Sequence, residues 1–303
     1  MSTFFQELAK KLAERWVTLL LIPGALFVAA VSIGARVGHR HALDYPRLHA
    51  AVSDVATTIG RQSAGSQAVA LVAVLLAAVG AGLAVQAMAG VTRAVWLGLW
   101  PWPLTRLQNR RAKKRRERWD DLRNDKWELQ TRYPLASRTP EQQREIDIVA
   151  ARINRLAWTE PGRPTWMGDR IHSLEYLALH RHGLDLMFAW PRLWLVLPDA
   201  ARAEISTAHA AFAAAVATGT WAWPYLLLGS IWWPAILVGI GIGTTGWVQA
   251  RAAITDLTAL SEAALDLHGR SLATALGVAE PGRVGPLTIA EGQQLTQLIR
   301  RER

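Results

Sequence analysis

Between residues 169 and 185 the chain gathers its densest set of side chains able to bind a metal or move a proton. They are Asp169, His172, Glu175, Tyr176, His180, His182 and Asp185. Asp169, His172, Tyr176 and His180 fall at offsets 0, 3, 7 and 11, near one face of a helix. Imidazole and carboxylate groups at such spacing can hold zinc or another divalent ion, so His172, Glu175, His180 and His182 are the candidate metal ligands. The preferred account is plainer: these residues form the polar face of an amphipathic helix whose basic end complements its dipole. A sparser set, His39, His41, Asp44 and His49, could bind metal or protons, and an exposed polar loop is again the preferred account.

Other chemistries are excluded or weakened by what the chain lacks. With no cysteine there is no disulfide framework, thiolate site or cysteine nucleophile. No Walker A loop, HExxH or GxSxG occurs. The stretch from Gly241 to Gly246 matches GxGxxG, but that fingerprint needs a strand before it and a helix after it. Here it lies inside an apolar run. Ala235, Gly239 and Gly243 are instead small residues four apart, on a face where another helix can approach closely. No cofactor is called for.

The elements that must position these residues are set by segregation of apolar and charged residues. The 303-residue chain is 51% hydrophobic and 19% charged, and the apolar residues are gathered in long runs. About 20 apolar residues cross a bilayer core. Residues 16–35 and 67–91 are two such runs without a charge, and residues 210–249 are uncharged for twice that length. The last run reads as a hairpin of spans at about 208–228 and 231–250, turning near Gly229 and Ser230. Trp221, Trp223, Trp232 and Trp233 crowd that turn, where an aromatic belt belongs. The first run is longer than the ~7–15 apolar residues of a signal peptide and follows a long segment of mixed charge, which favours an uncleaved span. No span holds Asp, Glu, Lys, Arg or an internal His. This argues against ion-coupled transporters and proton pumps, which usually keep such groups at membrane depth.

Orientation follows from charge. Arg106, Arg110, Arg111, Lys113, Lys114, Arg115, Arg116 and Arg118 stand just after the second run. Positive residues this near a membrane end stay in the cytoplasm. The expectation is a multi-pass inner-membrane protein with both termini cytoplasmic and the 36–66 loop outside. The same cluster could attract nucleic acid, but topology and anionic lipid explain it better. Residues 1–15 read as an interfacial amphipathic helix, 16–105 as the first hairpin, 106–205 as a basic cytoplasmic helical domain, 206–250 as the second hairpin and 251–303 as a helical tail.

Local signals set the cytoplasmic helices. Thr139-Pro140-Glu141-Gln142 is a helix start, with Ile146, Val149, Ile153 and Leu156 at helical spacing after it. Thr165 should cap the next helix, and basic residues before Gly183 should end it. Leu184 to Pro198 is too short and too charged to span, and should lie at the interface or pack under the bundle. Asp199 should cap the helix that follows, and Thr288 with Glu291 form a further capping box. No segment alternates like a strand, so the fold class expected is all-α.

Arg163 to Arg170, His182 to Asp185, Trp190 to Trp194, Leu197-Pro198 and Asp266 to Arg270 together resemble a family of polytopic membrane proteins from GC-rich, actinobacterial-type genomes. The resemblance covers roughly the second half of the chain. It implies a membrane protein and brings no activity or site residues. The function expected is non-enzymatic: a cytoplasmic helical domain that binds a protein partner or senses a signal. An oligomeric channel gated by that domain is the alternative, with a metal-dependent membrane enzyme behind it. The partners expected are the bilayer, with anionic lipid at the basic cluster, a cytoplasmic protein, and other copies of the chain.

Overall fold

The computed structural model describes residues 21–42, 44–46, 49–50, 53, 57, 61, 63–280, 282–283 and 285–301. The amphipathic helix expected over residues 1–15 lies outside them. The architecture is all-helical, with no strand among the described residues. The α-helices are α1 (Ile22–Val37), α2 (Ala64–Trp96), α3 (Thr105–Arg132), α4 (Pro140–Leu156), α5 (Trp166–His182), α6 (Leu186–Val196), α7 (Asp199–Thr220), α8 (Ala222–Leu228), α9 (Pro234–Ala275) and α10 (Ile289–Arg301).

Two compact units share these helices. The first comprises residues 1–92 and 214–249, the second 93–213 and 250–303. In the first unit the chain does turn between α8 and α9, through residues 229–233. Among the described residues two helical stretches are long and apolar enough to cross a membrane: Ala64–Trp96, and Asp199–Leu228 across the break at Trp221. The described part of the first apolar run, α1, has 16 residues. Only 17% of the apolar window of α2 is buried, and Val69, Leu71, Val72 and Leu76 lie exposed along it.

Close approach of backbones holds the first unit together. A Cβ on Gly24 would stand 2.1 Å from the Ala78 carbonyl oxygen, and one on Gly246 would stand 2.6 Å from the Gly219 Cα. Ala235 is fully buried, a Cβ on Gly239 would meet the Leu226 side chain at 3.0 Å, and one on Gly243 would meet the Ala222 Cβ at 3.2 Å. The GxGxxG stretch is thus plain helix, packed by its small residues. Phe27 meets the Tyr225 ring edge-on at 5.4 Å. Thr92 accepts a hydrogen bond from the Trp223 indole at 3.1 Å, and its hydroxyl lies 3.0 Å from that of Thr220. The His39 Nδ1 donates to the Ile231 carbonyl at 2.7 Å, which joins the stretch after α1 to the turn before α9.

The second unit is built from capped helices. Thr139 and Gln142 form the reciprocal capping box of α4. Thr165 accepts from the Gly168 amide at α5, which Gly183 closes in the left-handed conformation at φ 66°. Leu184 to Pro198 contains a short helix, α6, which Asp185 caps through the Met187 amide, and its Leu186, Ala189 and Leu193 enter the core. Asp199 is the first residue of α7 rather than its cap, and its carboxylate takes the Arg202 guanidinium. Trp119, Leu122 and Leu129 of α3 pack on Val149 and Ile153 of α4.

Candidate functional site

The second unit contains an apolar groove of about 570 Å³ where four helices meet. Each contributes one helical face. Ile171, Leu174 and Glu175 come from α5, Leu186, Met187, Trp190 and Trp194 from α6, Ile205, Ser206 and His209 from α7, and Leu257, Thr258 and Ser261 from α9. Within each set the spacings are one, three or four residues, which put side chains over one stripe. The Trp190 and Trp194 rings, four residues apart, have centroids 6.2 Å apart and tilt by 43°. A smaller pocket of about 270 Å³ shares Glu175, Leu186 and Met187 with the groove and reaches His172, Tyr176 and Asp185.

The polar groups of the groove are few. The Thr258 hydroxyl is used by its own helix, donating to the Ile254 carbonyl at 2.8 Å. Glu175 is half-buried, and no hydrogen bond or ion pair engages it among the described residues. No Lys or Arg among the described residues lines the groove. A cavity of this size with apolar walls and a few polar groups has the make-up of a small-molecule site.

The candidate metal ligands are dispersed. His172 packs its ring against Gly162, whose Cβ, if present, would stand 2.5 Å from Nε2. His180 stacks on Tyr176 at 3.7 Å between centroids. His182 is buried and pairs its Nε2 with Asp266 at 3.0 Å. Asp185 receives Arg300 and the Met187 amide. No group of three or more His, Asp or Glu is placed to hold a metal among the described residues. Of His172, Glu175, His180 and His182, the smaller pocket brings together His172 and Glu175.

Asp169 belongs to the scaffold instead. Its Oδ1 accepts the Gly162 and Arg163 amides at 2.9 and 2.7 Å, and its Oδ2 takes the Arg115 guanidinium at 2.7–2.8 Å. Arg115 also donates to the Leu156 carbonyl, so one buried pair ties α3, the end of α4, the following loop and α5. Burial pushes the Asp169 carboxyl above its ordinary range, against the pull of the Arg163 amide and of Arg115. Next to it, Arg170 lies over the Trp158 ring at 3.1 Å, with Nε and Nη1 buried and without hydrogen-bond partners among the described residues. Burial lowers its pKa to about 10.

The basic cluster divides in two. Arg115 turns inward, and Arg116 pairs with Glu160 at 2.7 Å. Arg106, Arg110, Arg111, Lys113, Lys114 and Arg118 remain exposed on α3. Arg118 also lines a depression of about 420 Å³ with Arg152 and Arg155 of α4.

Sequence reasoning missed Ser206, His209, Thr258 and Ser261, which are common residue types spread over more than fifty positions. A hint was present in Trp190 and Trp194, two large rings on a segment too short to span. No protein family, curated protein or solved structure matches the chain.

Proposed function

We propose that this chain is a multi-pass inner-membrane protein whose cytoplasmic unit binds a ligand in the four-helix groove and serves as a receptor or sensor, not as a catalyst. The observation that carries the reading is the groove itself: apolar walls from four helices around a carboxylate with no partner among the described residues. An enzyme of this size would need a nucleophile or an acid–base pair aimed at one point. No hydrogen bond joins Glu175, Ser206, His209 and Ser261 to one another among the described residues, so the groove is read as a binding surface.

The membrane part rests on the exposed apolar side chains of α2 and on four spans, about 16–35, 67–91, 208–228 and 231–250. In this topology the 36–66 loop and the 229–233 turn are both outside, and the His39 bond to Ile231 supports placing them together. The exposed residues from Arg106 to Arg118 meet anionic lipid on the cytoplasmic side. The relation to the actinobacterial-type polytopic proteins belongs to the same proposal.

Two experiments test it. Because the chain has no cysteine, a Ser53→Cys variant should react with a membrane-impermeant maleimide in whole cells, and Ser137→Cys only after lysis. The opposite pattern overturns the orientation. For the groove, a neutral alcohol bearing a photoreactive diazirine should label the 186–197 peptide of the full-length protein in native membranes. Ser206→Trp, which fills the groove from an exposed position of α7, should remove that label and leave labelling of 69–76 unchanged. Equal labelling of 186–197 in both proteins would refute the groove as a binding site.

A further inference from the structure

We infer that the groove selects a lipophilic organic cation, a proposal that rests on the groove being a binding site. The argument is charge complementarity. The chain carries a net charge of +10, with 34 Lys and Arg residues, yet none of those among the described residues lines this cavity. Its acidic side chain is Glu175, which no partner engages among the described residues. A half-buried carboxylate with no engaged counter-charge offers a bound cation a charge-assisted contact.

The walls point the same way. Trp190 and Trp194 present two indoles to the cavity, and the face of an aromatic ring attracts a cation and repels an anion. Leu174, Leu186 and Ile205, all buried, supply apolar surface for the body of the ligand. An inorganic ion would leave that surface unused. A fatty-acid anion would meet Glu175 with the wrong sign. A molecule with a delocalised or alkylated positive centre and a large apolar body satisfies both features.

Tetraphenylphosphonium and tetraphenylborate test this because they share shape and differ in sign. Each is titrated against the neutral diazirine alcohol, with labelling of the 186–197 peptide in full-length protein as the readout. The comparison is made between wild type and Glu175→Gln for each ion separately, which cancels the ion's own partition into lipid. Tetraphenylphosphonium should compete at concentrations on the order of tenfold higher in Glu175→Gln than in wild type, as expected for loss of one charge-assisted contact. Tetraphenylborate should not lose potency in the variant. Unchanged labelling by the neutral probe verifies that the variant keeps its groove. Equal shifts for the two ions, or none, would overturn the choice of a cation while the groove reading stands. Absence of neutral-probe labelling in wild type would overturn both.

Discussion

Both units bring backbones close at glycine, as at Gly292 against His182 in the second, and they differ in what they add to those contacts. In the first, helices meet where side chains are missing, as at Gly24 against Ala78 and Gly246 against Gly219. In the second, helices are also joined by long charged side chains buried with their partners, as in Arg115 with Asp169 and Arg270 with Glu291. Under the proposed topology, water explains the difference. Burial of apolar surface drives packing only where water is displaced, so a unit with apolar surroundings must rely on close van der Waals fit and a few hydroxyl contacts. A unit in water can afford apolar cores, caps and desolvated ion pairs together.

The comparison breaks most sharply at Asp169. Asp169→Ala leaves Arg115 and the Gly162 and Arg163 amides without their acceptor, and should cost about 3–5 kcal/mol. Pulse proteolysis of the purified protein should show cleavage within the second unit first. A smaller loss follows in the other unit. Gly246→Leu forces a side chain into the Gly219 backbone and should cost about 1–3 kcal/mol, with cleavage beginning in the first unit. If either variant loosens both units equally, the division is wrong.

A pH titration sharpens the contrast within the second unit. Hydrogen bonds from the Thr288 amide and hydroxyl, with Arg270 and Arg283 adding to them, hold the Glu291 carboxyl below its usual range. Its contribution is present above the unfolded carboxylate pKa and disappears as pH falls through the lower folded value. Asp169 is shifted upward, so it takes up its proton in the folded state first, and falling pH favours the fold at that site. Acid should therefore release α10 before the α3–α5 junction, as followed by hydrogen exchange of residues 289–301 against 166–173. The smallest effect is expected at Thr92→Val. Loss of the acceptor for the Trp223 indole should cost about 1 kcal/mol or less by thermal unfolding, because the Thr220 hydroxyl keeps the Val216 carbonyl as an alternative partner.

Local signals made much of the helical scaffold legible. The cap at Thr139, the stop at Gly183 and the turn near Gly229 each depend on a few adjacent residues, and the sequence states them directly. The inward turn of Arg115 was not legible. It stands in a run of basic residues with similar propensities, and only the distant Asp169 distinguishes it from Lys114 or Arg116. The groove was hidden for a related reason. Glu175 was singled out, but as a neighbour of histidines along α5. Its partners in the cavity come from α6, α7 and α9, and no spacing rule links Glu175 to His209 or Ser261.

The second unit is interrupted in the chain by residues 214–249, and this gives its assembly an order in time. During synthesis α5, α6 and the start of α7 emerge first, as a cup with three sides. The fourth side, Leu257 to Ser261, is made only after the intervening apolar stretch has left the ribosome. At about 5–20 residues per second, the delay between residues 213 and 261 is roughly 2–10 seconds. For that interval Trp190, Trp194 and Ile205 are uncovered, so under the proposed topology newly made chains should depend on rapid delivery of 214–249 into the bilayer. Slow translation across that stretch would turn a ligand cavity into an attachment point for chaperones.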